Sequence, residues 1–84
     1  MKHVTPTGLD ELDGLLDDLR GVEGLTEKTR GVFYRGSRAF LHFHEDPAGL
    51  YADVRLDGAE FERMRVSTKA ERKRVLSRVR AALR

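Results

Sequence analysis

Residues 31–56, GVFYRGSRAFLHFHEDPAGLYADVRL, constrain the fold more than any other stretch of the chain. Three short runs alternate apolar and polar residues, the period of a half-buried strand, and two turn signals separate them. Gly36-Ser37 is a two-residue turn with glycine first, which closes a hairpin. It predicts that Arg35 pairs with Arg38, Tyr34 with Ala39 and Phe33 with Phe40. Asp46-Pro47-Ala48-Gly49 is the second turn, and the register it predicts sets Phe43 opposite Ala52 and His42 opposite Asp53. Because a slip of one residue would mix polar and apolar side chains, the alternation predicts two distinct faces. Val32, Tyr34, Ala39, Leu41, Phe43, Ala52, Val54 and Leu56 are expected on the core face. Phe33, Arg35, Arg38, Phe40, His42, His44, Tyr51, Asp53 and Arg55 are expected on the outer face.

Helical signals flank the strands. Leu9, Leu12, Leu15, Leu16 and Leu19 recur at spacings of three and four, which predicts an amphipathic helix over 7–20. Thr7 is the expected cap, Asp10 and Glu11 suit the first turn, Gly14 weakens the middle and Gly21 ends it. Residues 21–30 are expected to be a connector. Residues 57–63 read as a turn or bend, and Met64-Arg65-Val66 as a short edge strand. Thr68 and Glu71 have capping-box spacing. The final helix is expected to run to about Leu83, with Val75, Leu76, Val79, Ala82 and Leu83 on its apolar side and Lys69, Lys73, Arg80 and Arg84 on a basic stripe. The expected fold is one α+β domain over 1–84. It is a two-layer sandwich of an N-terminal helix, a three- to four-stranded antiparallel meander and a C-terminal helix.

Composition narrows the partners. A chain of 84 residues without cysteine has neither disulfide nor thiolate site to brace a small core, so a second copy or a partner would help it. No apolar run is long enough to cross a bilayer or to form a signal-peptide core, and the expected location is the cytosol, away from membranes. The net charge of +2 hides a division: residues 1–30 hold four Lys/Arg and seven Asp/Glu, and the remainder holds twelve and seven. Either the acidic first helix answers the basic last one, or the basic part meets an external anion. Twelve arginines against four lysines, with no Ile or Asn, point to a high-GC bacterial genome.

Phosphate-binding glycine loops, nucleotide fingerprints and nucleophile elbows are missing, so a non-enzymatic binding domain without a cofactor is expected. The outer face is its candidate site. Arg35, Arg38 and Arg55 supply cations for phosphates, and Phe33, Phe40 and Tyr51 supply rings for bases, the combination that holds nucleic acid. Aromatics with arginine equally suit a homodimer or protein-partner interface, which is the first reading, with DNA as the alternative. A further alternative is that residues after the sheet fold back over this face. His42 and His44 project from one side of a strand, within reach of one ion. Asp53 could be a third ligand and Tyr51 or water a fourth, so zinc is a lesser alternative. Against it stands the plainer expectation of two histidines packed or solvated, with His42 bonded to Asp53.

The run from Gly31 to Phe40, followed by Leu50-Tyr51-Ala52-Asp53-Val54-Arg55, resembles the central hairpin and third strand of the YjbR/MmcQ-like small bacterial proteins. The Leu-rich helix and Gly21-Val22 fit the same arrangement, so the resemblance spans about residues 9–56 and a terminal helix. It implies an α+β fold and a DNA-binding role through a winged sheet, with Arg35, Arg38 and Arg55 at the sheet's basic positions. The chain lacks that family's later segment of His, Asn, Lys and Trp and is short for it. The FLHFHEDPAGLYADVR stretch is closer to small uncharacterised proteins of high-GC bacteria.

Overall fold

The computed structural model describes residues 2–84. Its elements are β1 (Lys2–His3), α1 (Pro6–Glu11), α2 (Asp13–Arg20), β2 (Thr26–Thr29), β3 (Val32–Arg35), β4 (Arg38–Asp46), β5 (Gly49–Val54), β6 (Glu62–Arg65) and α3 (Lys69–Ala82). Strands β2 to β6 form an antiparallel meander in sequence order, and β1 adds to the far end of β4. The expected α+β sandwich is therefore present, with a wider sheet: β1 and β2 lie in segments where no strand was expected.

The leucine stripe forms two helices in place of one. Thr5, in extended backbone before Pro6, caps α1 by accepting from the Gly8 amide at 3.1 Å, so the cap lies two residues before Thr7. Proline at the first helical position favours this start, because its missing N–H has no helical partner to lose. At Leu12 the amide is shared between the Gly8 and Leu9 carbonyls at 3.3 and 3.0 Å. The chain tightens there without turning the stripe away, and all five leucines stay buried. Each contributes about 1.5–3 kcal/mol by leaving water. Gly21 ends α2 as expected.

Both turns of the central hairpins match the sequence reading. Gly36 takes a positive φ of 62°, and Arg35 pairs with Arg38 and Tyr34 with Ala39. At the second turn the Asp46 carboxylate accepts from the Ala48 amide at 2.8 Å. Phe43 lies opposite Ala52 and His42 opposite Asp53. The pairing of Phe33 is different: it faces Leu41, not Phe40, because the register shifts between Phe33 and Tyr34. Phe40 is the extra residue of a β-bulge, and a bulge sets two residues against one and breaks strict alternation. Phe33 and Phe40 are consequently 0% and 2% exposed.

The core has a single side. Leu9 to Leu19 of the first two helices and Val75, Leu76 and Val79 of α3 pack in one cluster with Phe33, Phe40, Leu41, Phe43, Leu50, Ala52, Val54 and Val66. All helices thus cover the same sheet face. Helix α3 carries the expected capping box, with Thr68 and Glu71 bonding each other's backbone. The Glu71 carboxylate accepts from both Ser67 and Thr68 amides at 2.9 Å. Strand β6 pairs with β5, so this part of the chain both extends the sheet and, through Phe61, touches its outer face.

Candidate functional site

Two groups of side chains stand out, one at the hairpin end of the sheet and one at its centre. At the hairpin end, Arg35, Arg38, Ala39, Phe40, Arg55 and Gly58 line a shallow cleft of about 280 Å³. Arg38 donates to the Gly58 carbonyl at 3.1 Å. The Arg55 guanidinium lies over the Phe61 ring, 4.3 Å from its centroid, a cation–π contact that holds the charge at the rim. The Arg55 Nε is buried and lacks a hydrogen-bond partner. Among the described residues none of these three arginines is ion-paired with a carboxylate, although Arg20, Arg30, Arg63, Arg65 and Arg78 all are.

Those internal pairs decide where the acidic charge of the first helices goes. Asp17 pairs with Arg20, and Asp10 and Asp13 pair with Arg30. Asp17 therefore answers an arginine one turn away, and Asp10 and Asp13 answer one brought to them from 20 and 17 residues on. Lys69, Lys73, Arg74, Arg80 and Arg84 of the last helix and its end have no direct ion pair among the described residues, but Glu11 and Asp18 share a groove with Lys69, Arg72 and Lys73, so α1 and α2 answer α3 by proximity and not by contact.

At the sheet centre, His42, His44 and Asp53 come together, as strand periodicity and the β4–β5 register require. Asp53 is only 8% exposed. Arg63, its cross-strand partner on β6, grips it with two bonds, Nε to Oδ1 at 2.8 Å and Nη2 to Oδ2 at 3.0 Å. That fork holds the Asp53 carboxyl below its ordinary range, with the two nearby imidazoles adding to the effect. The imidazole nearest the Asp53 carboxylate is that of His44, Nε2 to Oδ2 at 3.1 Å, and not that of His42 as expected. His44 Nδ1 faces the Lys2 carbonyl at 3.2 Å. His42 lies edge-on to both His44 and Phe61, and its Nδ1 is buried with no partner. Burial, then the neighbouring His44, push the His42 imidazole below its usual pKa. His3 stacks on His44, 5.3 Å between centroids.

The expected outer-face set thus divides. Arg35, Arg38 and Arg55 gather at the cleft, and His42, His44 and Asp53 form the central cluster. Tyr51 is half-buried beside Arg65. Phe33 and Phe40 are withdrawn into the core, and Phe40, though it borders the cleft, is too buried to stack on a base; the bulge is the reason. Phe61, Arg63 and His3 join the site without having been anticipated. The alternation Arg63-Met64-Arg65 carried a strand signal that could have placed Arg63. Nothing local to His3 signals its position, which depends on β1 pairing with a strand some forty residues away. Phe61 is the one large apolar side chain exposed among the described residues, at 39%. Among the described residues no helix is long and apolar enough to cross a membrane. Compared with known proteins, the chain matches no family model, no curated protein and no solved structure.

Proposed function

We propose that the protein is a non-enzymatic binding domain that holds a nucleic-acid backbone at the hairpin end of its sheet. The observation that carries this reading is the convergence of Arg35, Arg38 and Arg55 on one cleft, with no carboxylate ion-paired to them among the described residues. Three guanidiniums held close together repel one another. An anion that bonds all three relieves that repulsion, and guanidinium geometry suits phosphate oxygens. The same three positions are those that the resemblance to YjbR/MmcQ-like proteins implies. With Phe33 and Phe40 in the core, base stacking loses two of its three expected rings, so the contact is to phosphates and is indifferent to base sequence. Self-association through exposed phenylalanines loses the same two residues.

Fluorescence anisotropy of a labelled DNA duplex tests the reading. Three phosphate contacts give a slope of about −2.7 in log affinity against log salt, so binding falls about 40-fold between about 50 and 200 mM salt. Arg35→Ala, at a side chain without an ion pair, should weaken binding and reduce the slope by about 1. Arg30→Ala, at a guanidinium already held by Asp10 and Asp13, should leave the slope unchanged. Binding that is absent at low salt, or that ignores Arg35, refutes the proposal. Concentration-dependent dimerisation lost in Phe61→Ala would favour a self-association surface in its place.

A further inference from the structure

We propose that His42, His44 and Asp53 form a site for a divalent transition-metal ion of the zinc class, with a fourth position open to water. The ligand atoms of the three residues all lie within 4.8 Å of one another. A tetrahedral ion with bonds of 2.0–2.1 Å needs ligand atoms about 3.3 Å apart. His44 Nε2 and Asp53 Oδ2, 3.1 Å apart, already match one edge of that tetrahedron. His42 lies within 4.8 Å of both and completes a face by closing on them by up to about 1.5 Å. Two nitrogens and one carboxylate oxygen are a donor set suited to zinc, and less to calcium or magnesium.

Two further observations point to a ligand. The Lys2 carbonyl beside His44 Nδ1 is the kind of acceptor that orients metal-bound histidines: it accepts a hydrogen bond from Nδ1–H, the tautomer that leaves Nε2 with a lone pair. In that tautomer the lone pair faces a carboxylate oxygen, acceptor against acceptor, a conflict that a bridging metal cation resolves as a second ring proton would. His42 Nδ1 is the second observation, a buried ring nitrogen with no hydrogen-bond partner, and such atoms are rare because burial without a bond is costly. In the metal-free chain Arg63 supplies the positive charge that Asp53 requires. Its side chain is 48% exposed, so it can swing into solvent when an ion arrives. Arg63 is thus a competitor for the site, and that role separates a metal centre from a purely structural cluster.

The test uses the metal-stripped full chain titrated with zinc chloride by calorimetry, and with cobalt(II) chloride by visible absorption. One equivalent of zinc and intense tetrahedral cobalt bands are expected. His42→Ala and His44→Ala should each weaken binding at least about tenfold. Arg63→Ala, at an exposed position on the edge strand, should instead tighten it several-fold, a gain that loss of folding cannot imitate. Failure of the wild-type chain to bind one equivalent overturns the proposal. So does binding that persists in the His42→Ala/His44→Ala double variant, or an Arg63→Ala variant that binds more weakly while its circular dichroism remains that of the wild type.

Discussion

Replacing Phe33 tests the bulge, the feature that most alters the picture drawn from alternation. In a regular hairpin Phe33 would face solvent on the outer sheet face, and its truncation would change stability by no more than about 0.5 kcal/mol. In the structure it is 0% exposed and belongs to the core cluster. Truncating a phenylalanine in such a place costs about 3–5 kcal/mol, the sum of lost transfer energy and the cavity left behind. A domain of 84 residues has about 4–13 kcal/mol of stability in total, at 0.05–0.15 kcal/mol per residue. Phe33→Ala should therefore sit near the edge of unfolding. Phe33→Leu is the measurable variant: it loses about three ring carbons, roughly 2 kcal/mol at 0.8 per methylene. Urea denaturation followed by circular dichroism reads this as a lower midpoint at unchanged m-value. A Phe33→Leu midpoint indistinguishable from wild type would show that the side chain is in water and that the bulge at Phe40 is wrong.

Two other outcomes follow from the backbone and the charge network. Gly49 has φ of 147°, and a Cβ there would lie 2.3 Å from Ser67 Oγ. Gly49→Ala should displace the hydroxyl that bonds the Leu50 amide at 2.9 Å and cost more than about 1 kcal/mol, read from the same urea curves. Glu27 has a carboxyl pKa lowered chiefly by the Arg20 guanidinium and further by the Gly31 amide. Its contribution to stability is complete above the ordinary carboxylate value of 4.5 and disappears as pH falls through the lowered folded value. Melting temperatures measured across that acidic window should fall less steeply in Glu27→Gln than in wild type. Equal slopes would remove the Arg20–Glu27 pair from the acid response.

Much of the architecture follows from short-range patterns. Gly36-Ser37 and Asp46–Gly49 mark the two central turns, Thr68 and Glu71 mark the start of α3, and the alternation along 41–46 and 50–54 sets the His42–Asp53 register. Each depends on residues within a few positions of one another, where backbone preference and periodicity act directly. The grouping of His42 and His44 with Asp53 was legible for the same reason.

The rest depends on contacts between distant residues. Strand β1 exists only through its pairing with β4, and the Glu45 carboxylate that accepts from the Thr5 amide lies 40 residues away. Neither leaves a local trace. The bulge at Phe40 costs one ladder pairing, but it brings a second aromatic ring under the helices, and burial outweighs strict alternation. Asp53 is bonded by Arg63, a partner supplied by β6 docking on β5. Asp10, Asp13 and Asp17 pair with Arg20 and Arg30, and among the described residues no carboxylate pairs with the cleft arginines. Local sequence names the residue types that stand on the open sheet face; packing selects which of them stay there, and which neighbours claim their charges.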